Sequence, residues 1–111
     1  MEGFWTVQFT GVQGFGAGAI TLVGGQVFGG DSTMLYSGTY SQQGNTLRAL
    51  VHVKQYASVP GMQSVMGRNE FDLELTGTLQ GKTLTASGSV PGTQLRFNAT
   101  LTKQGELPPR T

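Results

Sequence analysis

No cysteine occurs in the 111 residues, which excludes disulfides, thiolate metal sites and cysteine nucleophiles together. Charge is almost as scarce. Only 12% of residues are charged, against about 25% in ordinary domains. The seven lysines and arginines are scattered and the net charge is +1, which argues against a nucleic-acid groove or an anionic membrane surface. Histidine occurs once, as His52. No apolar run approaches the ~18 residues of a membrane helix, and Met1-Glu2-Gly3 lacks the basic and apolar regions of a secretory signal. The expectation is a soluble, cytoplasmic protein with no membrane insertion.

What replaces charge is threonine and glutamine, at 14 and 10 residues. Threonine is β-branched and suits a pleated face, so the polarity is strand-like. The length allows one core and no more; a domain of about this size buries roughly two thirds of its unfolded surface. Glycine, at 18 residues, punctuates the chain, and between glycines the apolar period is two rather than 3.6.

The period predicts eight strands. Trp5, Val7 and Phe9 alternate with Thr6, Gln8 and Thr10 in the first, over residues 3–10. Residues 16–23 form a second, whose inward set is either Ala17/Ala19 or Ile20/Leu22. Gly24-Gly25 reads as a hairpin turn, and Gln26 to Phe28 as a short third strand ended by a turn at Gly29-Gly30-Asp31-Ser32. Met34, Tyr36, Gly38 and Tyr40 mark the fourth strand, and Leu47, Ala49, Val51 and Val53 the fifth. After a longer connection, Phe71, Leu73 and Leu75 mark the sixth, Leu84 and Ala86 the seventh, and Leu95, Phe97, Ala99 and Leu101 the eighth. Each strand has one apolar face, and short turns make neighbours antiparallel. Such a meander closes into a small up-and-down antiparallel barrel of about eight strands, which removes its edges. A two-sheet sandwich gives the same alternation. Residues 1–103 are read as a single barrel domain and residues 104–111 as a flexible C-terminal tail containing Pro108-Pro109.

Catalytic machinery is missing from this pattern. There is no Gly-x-Ser-x-Gly elbow, and Glu70, Asp72 and Glu74 share one face of one strand instead of facing each other across a cleft. The glycine pairs open no helix and cradle no phosphate. His52, Arg48 and Lys54 lie on one polar stripe. Folding back near Gly61 or Met62 sets His52 beside Glu70 or Asp72, Lys54 beside Arg68 or Glu70, and Arg48 beside Glu74 or Thr76. These are cross-strand ion pairs on an outer face, and a single imidazole falls short of a metal site. Asp31 has an ordinary turn explanation. Trp5, Phe9, Tyr36, Tyr40, Phe71 and Phe97 fall on the apolar face as core, so no stacking platform for nucleic acid forms. The expectation is a non-enzymatic protein without cofactor or metal.

The connection at residues 55–67 has its own pattern. Pro60 suits a first helical position and Gly67 a cap, so one short helical turn is expected near residues 59–66. Val59, Met62, Val65 and Met66 then turn apolar side chains one way, either as a plug for the barrel end or as a lid or contact segment. Small interior residues (Gly38, Ala49, Ala86 and Ala99) leave open whether the barrel is filled or holds an apolar, lipid-like ligand.

The ordered landmarks Gly3-Phe4-Trp5-Thr6-Val7-Gln8-Phe9, Gly16-Ala17-Gly18, Gly29-Gly30-Asp31, Tyr36-Ser37-Gly38-Thr39-Tyr40 and Val51-His52-Val53 resemble the GrlR family of small bacterial β-barrel proteins. The resemblance spans about residues 3 to 103. It implies a lipocalin-like fold, a homodimer, and negative regulation of type III secretion genes by contact with a protein partner, a transcriptional activator, rather than DNA. The family's acidic Glu-Asp-Glu-Asp loop between strands four and five is here Ser41-Gln42-Gln43-Gly44-Asn45. The resemblance therefore carries the fold and leaves the protein partner unidentified.

Overall fold

The computed structural model describes residues 1–11, 14–58, 60 and 69–108. Eight strands follow one another: β1 (Gly3–Gly11), β2 (Gly14–Val23), β3 (Gln26–Gly30), β4 (Met34–Gln43), β5 (Thr46–Gln55), β6 (Glu70–Gln80), β7 (Thr83–Ser89) and β8 (Arg96–Gly105). Each pairs antiparallel with its sequence neighbour, and β8 pairs back onto β1, so the sheet is a closed up-and-down barrel. Closure leaves no unpaired edge strand among the described residues for self-association by backbone pairing. No helix occurs among the described residues, and none is long and apolar enough to cross a membrane. The helical turn expected near 59–66, with Val59, Met62, Val65 and Met66, lies outside the described residues.

Period two places one side-chain set inside. Trp5, Val7, Phe9, Val51, Leu73, Phe97 and Leu101 are buried as their alternation predicts, and Leu75 is half-buried against the same core. Among the described residues no polar or charged residue is buried. The two-glycine turn at Gly24-Gly25 has φ of 57° and 80°, the left-handed pair that matches the twist of a tight hairpin.

One open alternative is decided and two local readings change. In β2 the inward set is Ile20 and Leu22, together with Gly16 and Gly18, which stand opposite Phe9 and Val7. Large side chains of β1 thus face empty positions of β2. The third strand does not stop at Phe28. Gly29 and Gly30 belong to β3, with Gly29 paired to Ile20 and Tyr36, and the turn begins at Asp31. A glycine pair reads as a turn, but here its smallness serves a crowded wall: a Cβ on Gly29 would strike the Ala19 carbonyl oxygen. Lastly, β8 continues to Gly105, because Lys103 and Gly105 still pair with Trp5 and Phe4 across a register shift.

The alternating connections define two ends. One carries the β2–β3, β4–β5 and β6–β7 turns and is sealed by Trp5, Leu22 and Leu84, the most deeply buried large side chains. The Trp5 indole donates to the Met1 carbonyl oxygen at 3.0 Å, tying the first residue to that end. The other end, the rim, carries the β3–β4 and β7–β8 connections, and β5 ends and β6 begins there.

Candidate functional site

Inside the barrel is an internal cavity of about 170 Å³. Its floor is Leu22, Leu47 and Leu84 near the sealed end, and its walls include Val7, Val27, Val51 and Leu73. Small side chains create the space: Ala49, Ala86 and Ala99 line it where larger residues would fill a barrel of this strand number. Towards the rim Phe9 stacks on Phe97, with ring centroids 5.5 Å apart, and meets Tyr36 edge-on at 6.4 Å. The cavity reaches the rim beside Phe15, whose side chain is 84% exposed.

Polar chemistry enters the cavity wall at one place. Asp31, Thr33 and Tyr36 line it at the rim. Asp31 opens the β3–β4 turn, where its Oδ1 accepts the amide hydrogens of Thr33 at 2.9 Å and Met34 at 2.8 Å. This satisfies two backbone donors that the turn leaves free. Its Oδ2 accepts from the Tyr36 hydroxyl, and its carbonyl oxygen accepts from the Tyr56 hydroxyl at 2.7 Å. Burial, and then the Asp31 carboxylate, push the Tyr36 phenol well above its ordinary pKa, so it stays a donor. Gly18 makes room for that phenol, since a Cβ there would come within 3.1 Å of the Tyr36 oxygen.

The sequence identifies Asp31 as a turn residue and Tyr36 as core, and both roles hold. What it misses is their union. The available signal is the five-residue spacing from a turn-opening Asp to an inward-facing Tyr on the outgoing strand of a hairpin.

His52 points outward, as its stripe predicts. In the β5–β6 register Lys54 stands opposite Glu70, His52 opposite Asp72 and Arg48 opposite Thr76. His52 Nδ1 lies 2.7 Å from Asp72 and Nε2 lies 2.8 Å from Glu70. Only an imidazolium donates to both carboxylates at once; hydrogen bonding to Asp72 first, then to Glu70, raises the His52 pKa. With both ring nitrogens engaged, this is an ion-pair clamp on an exposed wall. No group of three or more metal-binding side chains assembles among the described residues. Val59, Met62, Val65 and Met66, the expected lid or contact segment, lie outside the described residues.

The outer wall is divided. Across β6, β7, β8 and β1 it presents an uncharged row, Thr78, Thr85, Thr100 and Gln8, aligned by the strand register. Across β3, β4 and β5 it exposes apolar side chains: Phe28 at 47%, Leu35 at 51% and Leu50 at 50%. Phe28 is paired with Ser37, two residues from Leu35 on β4, and His52 is paired with the same serine. Lys54, Glu70, Asp72 and Glu74 border this face. Neither models of known protein families nor curated proteins of known function match the chain.

Proposed function

We propose that this protein is a non-enzymatic, cytoplasmic, GrlR-like barrel that acts through protein–protein contact, first of all with a second copy of itself. The observation that carries this reading is the outer face of β3–β5, where Phe28, Leu35 and Leu50 are each about half exposed. They share one outer face with Ser37 and His52 set between them, and exposed apolar side chains amid polar ones mark contact surfaces. The border holds both signs of charge, with Lys54 next to Glu70 and Arg48 two residues from Leu50. A two-fold contact lets each copy set its cations against the other's acids. The weak net charge opposes self-association little. The closed barrel fits the lipocalin-like fold that the resemblance implies, while the partner of a regulatory role stays open because the acidic loop is replaced.

Sedimentation velocity across a dilution series reaching tens of micromolar tests this. A dimer is expected, and Leu35→Asp shifts it to a folded monomer whose melting temperature no longer depends on concentration. The new carboxylate stands opposite Lys54, so the fold tolerates it. A monomer throughout, or a dimer indifferent to Leu35→Asp, removes the reading.

A second reading, a carrier of a small apolar molecule, is favoured by the internal cavity of about 170 Å³. An apolar cavity of about 150 Å³ admits benzene or xenon, whereas pockets for drug-sized ligands begin near 300 Å³. The space therefore favours a single ring or a short chain over a long acyl chain.

A further inference from the structure

We propose that the barrel interior selects a compact, neutral apolar molecule, about one substituted ring in size, through one hydrogen-bond donor that meets Asp31 at the rim. This inference rests on the carrier reading and adds to it the polarity of the ligand and the direction in which it lies.

The size follows from the cavity of about 170 Å³, close to the volume at which an apolar cavity in a protein takes up benzene. The orientation follows from where the polar atoms are. At the sealed end the lining is Leu22, Leu47 and Leu84, which offers a ligand no hydrogen-bond partner. A polar group placed there would lose its water without replacement, at a substantial cost in free energy. At the rim the lining includes Asp31, Thr33 and Tyr36. The apolar body of a ligand thus lies towards the floor and its polar group towards the rim.

The sign of that polar group follows from the hydrogen-bond inventory. An ionised carboxylate has two oxygens and about four acceptor positions. Oδ1 of Asp31 takes the amides of Thr33 and Met34 and, at 3.4 Å, the Thr33 hydroxyl, while Oδ2 takes the Tyr36 hydroxyl. One acceptor position on Oδ2 remains. The only donor hydrogen of Tyr36 is already committed to Asp31, so the phenol has a lone pair to offer and nothing to give. Both groups ask the ligand for a donor. A ligand carboxylate brings none and sets a second negative charge beside Asp31 in surroundings of low dielectric. Asp31 and Tyr36 are the only ionisable side chains among the described residues of the lining, and no cation among those residues relieves that repulsion. The site accepts an alcohol or phenol and rejects an acid.

Gly18 belongs to the same device. It seats the Tyr36 hydroxyl, which leaves Asp31 held from three sides by the two amides and the phenol. A carboxylate fixed in this way loses little freedom when a ligand donor arrives, which is how preorganisation raises affinity.

Three probes of one size class separate the possibilities: toluene, para-cresol and benzoate, titrated at neutral pH by calorimetry and by the methyl NMR signals of Leu22, Val27 and Leu84. Para-cresol is expected to bind about tenfold more tightly than toluene, the worth of one hydrogen bond to a charged acceptor. Benzoate is expected to bind at least about tenfold more weakly than toluene, from the same scale of interaction. Asp31→Asn keeps an acceptor for the turn amides and closes the gap between toluene and benzoate. If that variant fails to fold, Tyr36→Phe carries the test, because freeing the second Oδ2 position keeps or enlarges the preference for para-cresol. Toluene binding with no advantage for para-cresol, or with benzoate equal to toluene, overturns the inference and leaves the carrier reading standing. No binding by any of the three overturns both.

Discussion

Tyr36 reaches back over the β3–β4 turn and donates its hydroxyl hydrogen to Asp31, five residues earlier in the chain. The phenol's pKa is raised, chiefly by burial and then by the carboxylate. A raised folded pKa contributes stability that is complete below the ordinary tyrosine value. That contribution is lost as pH climbs through the folded value. Ultraviolet titration should show one tyrosine that resists ionisation until the barrel unfolds in alkali, and Asp31→Asn should make it easier to ionise. Three tyrosines ionising together near the ordinary value would contradict this.

The His52 clamp is expected to matter for titration and little for stability. Its folded pKa is raised, so its contribution is full below the ordinary histidine value and fades as pH rises through the folded one. Exposed pairs of this kind are worth about 0.2–1 kcal/mol, less in salt. His52→Ala should therefore lower stability by under ~1 kcal/mol. In an NMR pH titration Asp72→Asn should bring the histidine pKa down further than Glu70→Gln does. The opposite order would mean that the partner set directly across the strand is the weaker one.

Gly18→Ala tests the facing of β2. The added Cβ would lie 2.8 Å from the Gly30 carbonyl oxygen and 3.1 Å from the Tyr36 hydroxyl. Backbone cannot swing aside, and overpacking of this kind costs about 1–3 kcal/mol. The gain from restricting the unfolded chain is only about 0.4–1 kcal/mol, so the clash wins. Ala19→Ser, on the exposed face of the same strand, should stay within about 0.5 kcal/mol of the parent. Urea unfolding of the two variants gives the comparison, and equal costs would mean the facing is wrong.

Leu73 is 4% exposed and lines the cavity wall. Leu73→Ala enlarges a space that is already open, and such truncations cost about 2–5 kcal/mol. Phe71 is only half-buried, so Phe71→Ala should cost less than Leu73→Ala. Chemical denaturation of both variants checks the order.

How legible this barrel is in the sequence depends on the contrast between alternating side chains. Where large apolar residues alternate with Thr, Gln or charges, as in β1, β5 and β6, strand and facing follow and pairing narrows to two registers, of which the barrel adopts the one that sets His52 opposite Asp72. Where the alternation runs between glycine and alanine, as at Gly16-Ala17-Gly18-Ala19, neither residue is apolar enough to choose a side. The neighbouring structure decides, with the Gly30 carbonyl and Tyr36 taking the room that Gly18 leaves. Gly29 and Gly30 look like a turn for the same reason. The Asp31–Tyr36 contact is local to the β3–β4 hairpin, whereas the cavity and the seat that Gly18 gives the phenol are tertiary facts. They depend on which small residues meet across the closed barrel, which a single strand's period does not encode.

The central claim is that the β3–β5 outer face is the contact surface, and amide NMR at two protein concentrations tests it most directly. The account predicts concentration-dependent shifts confined to outward residues of that face (Phe28, Leu35, Ser37 and Leu50), which vanish in Leu35→Asp. Shifts that map instead to the threonine wall of Thr78, Thr85 and Thr100, or a spectrum that does not change with concentration, would contradict it.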